Sequence, residues 1–251
     1  KSRTRRRTWQ LWQDITQDKE VDRMKSALLS TVSHELRTPL ATIKGFASTL
    51  LAEDVKWSVT AQREFLEAIS NESDRLTRLV QNLLDMSRIE AGMLTIQCEL
   101  YSLNDLLAEV VQSFTNTHNG RIRTYPAPDL PPVWMDIPRI GTVIRNLIEN
   151  GIKYSPADAP VEIATVQQSD MVILSARDHG PGIPTELQDK VFDRFFQVEK
   201  GLSRSAGGSG LGLAISKGFI EAHNGKIWVS DADPGAMFTF SLPIDGLDGE
   251  G

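Results

Sequence analysis

The segment from Ser30 to Leu40 reads STVSHELRTPL and lies within a long run of regularly spaced apolar residues. A spacing of three or four predicts an amphipathic helix with one buried stripe. The stripe residues are Leu28, Val32, Leu36, Leu40, Ile43, Phe46 and Leu50. His34 lies two positions from its stripe neighbours on either side, about 200° around the helix. We therefore expect its ring to face solvent, and Pro39 to bend the helix just beyond it.

A histidine on a helix is by itself more often an ordinary surface residue than a reactive one. An unprotonated imidazole can also attack phosphorus through its free lone pair, provided that a base takes up the released proton. Glu35 is adjacent to His34, and Thr38 shares its helix face because it lies four residues further on. These residue types permit a nucleophilic role but do not establish one.

Composition limits the kinds of protein this can be. The chain has 251 residues, enough for one large or two ordinary domains, and its hydrophobic content of 40% supports packed cores. A net charge of -6 argues against a nucleic-acid binder. We interpret the basic cluster of Arg3, Arg5, Arg6 and Arg7 as a solvated segment near the start of a longer protein, with contact to anionic lipid as the alternative.

The cysteine content and the hydropathy bear on location. Cys98 is the only cysteine, so no internal disulfide can form, and a reducing, cytoplasmic compartment is expected. No apolar run approaches the roughly 18 residues that a membrane helix needs. We expect this stretch of chain to be soluble, and whether a longer parent protein is anchored to a membrane stays open.

The first part of the chain is predicted to be helical after a short strand. The alternation in residues 1–16 suits a strand, and its ending WQDIT resembles the last strand of a PAS sensor domain. A first helix should end near Ala52, and a second should run from about Thr60 to Gly92. A lone hairpin cannot hide both apolar stripes, so two copies are expected to form a four-helix bundle, which predicts a homodimer. The alternative is that the stripes pack on the C-terminal domain.

Strands and helices alternate beyond residue 92, in an order that predicts a two-layer α/β domain with helices on one face of a sheet. The predicted helices span residues 103–114, 138–154 and 210–223. The predicted strands span residues 121–125, 133–135, 161–166, 171–176, 227–230 and 237–242. The fold class is therefore α+β, with a sensor or linker remnant at 1–19, a helical hairpin domain at 20–93, the α/β domain at 94–243 and a disordered tail at 244–251.

The predicted helix 138–154 carries the sequence NLIENGIKY from Asn146 to Tyr154. Asn146, Asn150 and Lys153 share one face of the helix because of their spacing. An amide oxygen suits Mg²⁺, which takes oxygen ligands, and lysine supplies a positive charge for phosphate. Two asparagines on a helix are nevertheless more often surface residues, so the motif is weak alone.

The sequence DHGPGIP, beginning at Asp178, follows directly after an apolar strand. A carboxylate at a strand end can accept a hydrogen bond from an exocyclic amine. Gly180 and Gly182 allow the backbone to approach a flat base. The same pattern is equally typical of a plain turn.

The sequence GGSGLGLAI, residues 207–215, is a glycine-rich loop that opens onto an apolar helix. Free N–H groups at a helix N-terminus attract phosphate, and glycine removes side chains that would block its approach. A Rossmann loop is excluded because no strand immediately precedes the glycines, and a Walker loop because no Gly-Lys-Ser/Thr follows them. We interpret residues 197–206 as a mobile lid, with Arg194 free to meet phosphate. The residues expected to hold the root of the lid in the core are Phe192, Phe195 and Phe196.

The string SHELRTPL resembles the H-box of sensor histidine kinases of two-component systems, and the three later motifs resemble their N, G1, F and G2 boxes. The resemblance covers roughly residues 20–243 and implies the ATP-binding fold shared with gyrase, Hsp90 and MutL. It implies that His34 is phosphorylated from ATP and that the phosphoryl group passes to an aspartate of a response regulator. It also assigns Glu35 as the acid/base partner of His34, and Thr38 as a residue that positions water when the regulator is dephosphorylated.

The same resemblance assigns the nucleotide ligands. Asn150 would bind Mg²⁺, Tyr154 would pack beside the nucleotide and Asp178 would hold the adenine amine. The other implied nucleotide-binding residues are Asn146, Lys153, Gly180, Gly182, Arg194, Gly208, Gly210, Leu211 and Gly212. Gly151 departs from the usual alanine of the family, and we expect it to weaken the helix by about 1 kcal/mol.

Two other functions compete with the kinase. An ATPase of the gyrase or Hsp90 type needs a carboxylate to activate water, and in those relatives a glutamate occupies the position matched by Asn146. A dimeric scaffold would use the nucleotide site only as a conformational switch. The chain contains no segment resembling a receiver domain, so the response regulator would be another protein or a missing segment.

Overall fold

The computed structural model describes residues 32–33, 35–52, 55–114, 120–198 and 210–245. The chain divides into two compact units, one ending at Gln81 and one beginning at Asn82. Some predictions fall outside the described residues: those for the PAS-like segment 1–19, His34, lid residues 199–206, Gly208 and tail residues 246–251. Within the described part of the chain, no helix is long and apolar enough to cross a bilayer.

The first unit consists of a helical hairpin, as the sequence predicts, except that the last residues of its second helix, from Asn82, belong to the second unit. Residues 35–50 form helix α1, and Val59–Glu90 form helix α2. The Ser58 hydroxyl accepts a hydrogen bond from the Ala61 N–H at 3.2 Å and so caps α2, slightly before the predicted start. Gly92 follows the helix with φ of +64°, which confirms the predicted C-terminal glycine.

Aromatic side chains join α1 and α2 beside their connection. The Phe65 ring stacks on the Phe46 ring with 5.4 Å between centroids, and the Trp57 ring meets Phe65 edge-on at 5.1 Å. The Trp57 Nε1–H also donates to the Thr49 carbonyl at 3.0 Å. Aromatic pairs of this kind contribute about 0.5–1.5 kcal/mol each beyond their buried area. Contacts within one chain therefore fix this end of the hairpin.

The second unit is a two-layer α/β domain, as predicted. Its strands are β1 (Glu99–Tyr101), β2 (Ile122–Tyr125), β3 (Val133–Met135), β4 (Val161–Gln168), β5 (Met171–Arg177), β6 (Lys226–Asp231) and β7 (Ala236–Pro243). Its helices are α3 (Leu103–Phe114), α4 (Ile137–Tyr154) and α5 (Gly212–Ala222), with single 3-10 turns at Thr185–Leu187 and Lys190–Phe192. The main sheet has the order β2-β4-β5-β7-β6, and β1 pairs with β3 in a separate ribbon. Only the β2–β4 pair is parallel within the main sheet.

The hydrophobic core lies on one face of the main sheet. Side chains alternate along β5, where Val172, Leu174 and Ala176 are buried and the residues between them are partly exposed. The buried side of α4 includes Ile144 and Ile148 in the same core. This alternation is expected when helices cover a single face of an antiparallel sheet.

Gly151 brings α4 close to β4. A Cβ added at Gly151 would lie 2.8 Å from both Cγ atoms of Val161, which is too close for an undisturbed contact. The expected loss of helix propensity is therefore accompanied by closer packing, which the sequence interpretation missed. Glycine is required here by the neighbouring strand and not only tolerated by the helix.

Candidate functional site

Helix α4 carries the polar face that the sequence predicts. Asp136 caps its N-terminus, since its carboxylate accepts the Arg139 N–H at 3.2 Å. Asn146 and Asn150 are partly exposed. The buried residues are Ile140, Val143, Ile144, Leu147, Ile148 and Gly151. The helix therefore holds both asparagines on a surface fixed by a buried apolar face.

The C-terminal end of α4 meets the loop that follows β5. The Ser155 hydroxyl accepts a hydrogen bond from the His179 N–H at 3.0 Å. A Cβ added at Gly180 would lie 2.8 Å from the Tyr154 carbonyl oxygen, so a larger residue would push this loop away from the helix. The glycine of the second motif is thus explained by the approach of two backbones.

Asp178 is buried at the end of β5, with 5% of its surface exposed. Its Oδ1 atom accepts two backbone N–H groups, from Gly180 at 2.8 Å and from Ala236 at 3.1 Å. Among the described residues, none forms a hydrogen bond with Oδ2. The carboxylate is therefore oriented by one oxygen and offers the other as an acceptor.

A turn between β6 and β7 closes behind Asp178, and the sequence analysis assigned it no role. Gly235 has φ of +105°, and a Cβ there would collide with the Asp178 carbonyl oxygen. In the pairing of β5 with β7, Arg177 lies opposite Met237, so Asp178, the residue after β5, lies opposite Ala236. The strand register could have identified this contact, but no local motif does.

Helix α5 begins at the glycine-rich motif, as predicted. Leu211 precedes its first residue, Gly212, and provides no side-chain cap. Gly210 has φ of +66°, and a Cβ there would lie 2.7 Å from the Phe195 Cα. The Phe195 N–H donates to the Gly210 carbonyl at 2.9 Å, which joins the motif to the phenylalanine segment. A helix N-terminus that begins in a glycine-rich motif suits an anion.

The two glycine motifs meet different parts of α4. The Asn146 side-chain NH₂ donates to the Gly212 carbonyl and to the Ser216 hydroxyl, each at 3.1 Å. The Lys153 ammonium lies 4.8 Å from the centre of the half-exposed Tyr154 ring. Gly212 therefore contacts Asn146. Four of the predicted nucleotide-binding residues lie along α4: Asn146, Asn150, Lys153 and Tyr154.

Arg194 is not free, contrary to expectation. Its guanidinium pairs with the carboxylate of Glu90 in the last turn of α2. This turn packs on α5, where a Cβ added at Gly218 would lie 2.6 Å from Ile89 Cδ1. The pair forms because residues 82–90 belong to the second unit and place the Glu90 carboxylate beside Arg194. Local sequence around Arg194 contains no sign of a partner so far away in the chain.

The phenylalanines near Arg194 lie where the sequence places them. Phe192 is buried and meets the Phe238 ring edge-on with 6.3 Å between centroids. Phe195 and Phe196 are partly buried and pack against the same core. The root of the predicted lid is therefore held in the core.

Two of the candidate catalytic residues, Glu35 and Thr38, lie on α1. Glu35 is partly buried, and its carboxylate lies 3.9 Å from the Arg75 guanidinium on α2. Arg75 also lies 3.6 Å from the Glu72 carboxylate. Thr38 is exposed, one turn beyond His34 in the chain. The hairpin thus orients Glu35 towards a cation on the neighbouring helix.

The described side chains do not form a complete metal site by themselves. Among the described residues, no group of three or more His, Cys, Asp or Glu side chains could hold an ion. Asn150 is partly exposed, and no described residue forms a hydrogen bond with its side-chain amide. One amide oxygen fits Mg²⁺ that is bound mainly by phosphates and water.

Comparison with known proteins defines the two parts of the chain. Residues 24–92 match the His Kinase A (phospho-acceptor) domain, and residues 135–246 match the histidine kinase-, DNA gyrase B- and HSP90-like ATPase family. A phospho-acceptor hairpin followed by an ATP-binding domain describes a two-domain signalling kinase. The chain belongs to the sensor histidine kinases.

Individual relatives agree with this assignment. Sensor histidine kinase WalK of Bacillus subtilis (strain 168) is 35% identical over 236 residues, which make up 92% of this chain and 38% of WalK. The chain therefore spans well under half of that relative. Acinetobacter baumannii histidine kinase AdeS has a TM-score of 0.63 at 28% identity, covering 84% of this chain and 98% of AdeS. Histidine kinase ThkA, solved in complex with response regulator protein TrrA, has a TM-score of 0.58 at 26% identity, covering 85% of this chain and 60% of ThkA.

Proposed function

We propose that this chain is an ATP-dependent protein-histidine kinase that phosphorylates its own His34 and passes the phosphoryl group to an aspartate of a separate response regulator. The observation that carries the proposal is the convergence of the nucleotide motifs on α4. Asn146 binds the start of α5 at 3.1 Å, and Ser155 binds the loop after β5 at 3.0 Å. The ThkA–TrrA complex supports a response regulator as partner, since ThkA shares this fold.

ATP would be held at three points. The Asp178 Oδ2 atom accepts the adenine amine, Tyr154 packs beside the nucleotide and Lys153 attracts phosphate. Asn150 supplies an oxygen ligand to Mg²⁺, which when bound reduces the negative charge of the triphosphate. Gly180 and Gly182 shape the pocket for the base. The remaining residues of the phosphate side are Asn146, Gly208, Gly210, Leu211 and Gly212, and Arg194 would have to leave Glu90 to join them.

The transfer step needs a free imidazole and a base. The lone pair of a His34 ring nitrogen attacks the terminal phosphorus, the bond from phosphorus to ADP breaks, and the ring proton passes to Glu35. Arg75 lies 3.9 Å from Glu35 and helps to hold the carboxylate on the α2 side of α1. The chain contributes mainly alignment and charge stabilisation.

The exposed apolar surface of the hairpin supports a homodimer. Leu40 lies on the predicted buried stripe, yet it is 60% exposed in a single chain. Other exposed apolar side chains of the hairpin include Leu51, Val59, Leu66, Val80 and Leu84. Two hairpins forming a four-helix bundle would bury such residues. We place the hairpin domain at residues 20–93 and the ATP-binding domain at 94–243, and we expect both to act in the cytoplasm.

An ATPase is the second candidate, and Asn146 argues against it. A neutral amide cannot take a proton from water, so attack by water lacks its base. Transfer to a histidine brings its own nucleophile and does not need that carboxylate. A scaffold without catalysis would bind the nucleotide through the same residues, so it differs from the kinase only in transferring no phosphoryl group.

Incubation with γ-labelled ATP and Mg²⁺ tests the proposal. We expect acid-labile, alkali-stable label on the protein, and no label on the His34→Gln variant. Free phosphate without labelled protein would support the ATPase. The absence of both labelled protein and free phosphate would support the scaffold. Asn150→Asp and Asp178→Asn should remove labelling while the dimer persists, and retained labelling would show that these ligands are wrongly assigned.

The role of Thr38 in dephosphorylation has a separate test. Thr38→Ala should slow the removal of phosphate from the phosphorylated regulator, because that hydrolysis needs a positioned water. Self-labelling should continue, because transfer to His34 needs no water. An unchanged phosphatase rate would contradict this role.

A further inference from the structure

The Asn146 side-chain amide has a defined orientation. Its NH₂ group lies 3.1 Å from the Gly212 carbonyl oxygen. A carbonyl oxygen can only accept a hydrogen bond, so the atom facing it must be the nitrogen and not the amide oxygen. The start of α5 therefore decides which end of the amide points away from it.

Ser216 completes this arrangement from one turn further along α5. Its side chain is fully buried, and its hydroxyl donates to the Gly212 carbonyl at 2.8 Å. The same hydroxyl oxygen accepts from the Asn146 NH₂ at 3.1 Å. Both hydrogens of the NH₂ group therefore have acceptors on α5. Among the described residues, none forms a hydrogen bond with the Asn146 Oδ1 atom.

We propose that Ser216 is a positioning residue, which with the Gly212 carbonyl holds the Asn146 amide so that its oxygen is presented to the nucleotide. This inference rests on the proposed function. An oxygen acceptor suits water bound to Mg²⁺, and Asn150 lies one helical turn away with a second amide. Without Ser216, the amide keeps only the Gly212 carbonyl as a partner on α5, so its oxygen is held less firmly in the presented orientation.

The same contacts select an amide at position 146. A carboxylate there would place an oxygen where the NH₂ group lies, facing the Gly212 carbonyl with no hydrogen between them. The Ser216 hydroxyl has one hydrogen, so it cannot satisfy both oxygens at once. The start of α5 therefore disfavours the acidic side chain that an ATPase would use as its base.

Ser113 on α3 provides a control, because its hydroxyl contacts Arg145, the residue that precedes Asn146 on α4. Its hydroxyl donates to the Val110 carbonyl at 2.6 Å and accepts from the Arg145 guanidinium at 3.1 Å. Ser113→Ala therefore removes one donated and one accepted hydrogen bond, as Ser216→Ala does, but beside Arg145 and not Asn146. Ser113 has no contact with Asn146 among the described contacts.

The experiment measures binding of a non-hydrolysable ATP analogue to the full chain by calorimetry, with Mg²⁺ and with a chelator. One lost hydrogen bond corresponds to roughly a fivefold change. We expect Ser216→Ala to weaken binding about fivefold with Mg²⁺ and little without it, and Ser113→Ala to change neither value. Ser216→Thr keeps the hydroxyl and should retain the Mg²⁺-dependent affinity.

Equal losses with and without Mg²⁺, or equal losses in the two alanine variants, would overturn the inference. Asn146→Asp gives a second measurement that does not alter Ser216: it should weaken Mg²⁺-dependent binding at least tenfold and should not increase phosphate release. Unchanged binding would contradict the selection of an amide. If the unaltered protein labels itself with γ-labelled ATP and Ser216→Ala binds normally, only this inference fails. If the unaltered protein does not label itself, the proposed function fails.

Discussion

The hairpin and the ATP-binding domain bury their apolar residues to very different degrees. Among the described residues up to Gln81, Leu79 is the only large hydrophobic side chain that is buried. The second unit buries many, including Phe219 and Phe240, within one chain. Hydrophobic burial is the main favourable contribution to folding. The ATP-binding domain can therefore complete its core alone, whereas the hairpin needs another surface.

Removing a core ring should have the largest effect. Phe240 is fully buried, so Phe240→Ala should lower the free energy of unfolding of the ATP-binding domain by about 3–5 kcal/mol. Urea denaturation followed by circular dichroism measures this loss. Leu100→Ala, at a residue that is 54% exposed in the same unit, serves as the control and should change it by less than about 1 kcal/mol. Similar values for the two variants would show that this core is not closed within one chain.

A polar residue on the hairpin stripe should act on association instead. Leu40→Gln removes an apolar side chain from each copy, at about 1.5 kcal/mol or more apiece, so the dimer dissociation constant should rise about 100-fold. Analytical ultracentrifugation measures the change. Leu100→Gln alters a leucine of similar exposure outside the hairpin and should leave the dimer intact. A dimer insensitive to Leu40→Gln would place the second surface elsewhere.

The close contact between α4 and β4 should show a smaller effect. Gly151→Ala introduces a Cβ about 2.8 Å from the Val161 methyl groups, so overpacking should destabilise the domain by about 1–3 kcal/mol. The double variant with Val161→Ala removes those methyl groups, and the two changes should not add. Thermal unfolding of all three variants measures the coupling. Additive losses, or a more stable Gly151→Ala protein, would mean that helix propensity matters more than the contact.

His223 should make the stability of the ATP-binding domain depend on pH. Its ring accepts the Asp136 N–H at 2.9 Å, and burial lowers its pKa below 6.5 despite a hydrogen bond to the Phe219 carbonyl and the nearby Asp136 carboxylate. The folded protein then binds fewer protons than the unfolded chain, so stability is complete above about pH 6.5 and falls as the pH is lowered. Unfolding between pH 7.5 and 5 should show this decline, and His223→Gln should flatten it. An equal decline in the variant would assign the effect to other groups.

Elements with a strong local period were predictable. Periodicity predicts α3 with its observed bounds, and it predicts α4 and α5 to within about two residues. The three-residue strand β1 was missed although β3, of the same length, was predicted. β3 alternates buried and exposed residues, whereas Glu99 and Leu100 of β1 are both exposed and give no alternation to detect. The two 3-10 turns at Thr185–Leu187 and Lys190–Phe192 were also missed, because three residues are too short to carry a helical period.

The parts of the candidate site that were predictable are those whose glycine, amide or carboxylate residues lie close together in the sequence. Its supports were not, because each comes from a distant part of the chain. Gly235 approaches Asp178 through strand pairing, and Glu90 reaches Arg194 through the last turn of α2. Ser216 is one of three polar residues in α5, and local sequence gives no sign that it contacts Asn146. These contacts depend on the tertiary arrangement and not on local spacing.

The carboxylate of Asp178 also bears on the choice of base. Two backbone N–H groups hold its Oδ1 atom, so Oδ2 remains as an acceptor. Adenine presents an amino group at its sixth ring position, whereas guanine presents a carbonyl oxygen there, which has no hydrogen to share. With the nucleotide placed as proposed, GTP is disfavoured, and the activity of the kinase would follow the adenylate pool of the cell and not the guanylate pool.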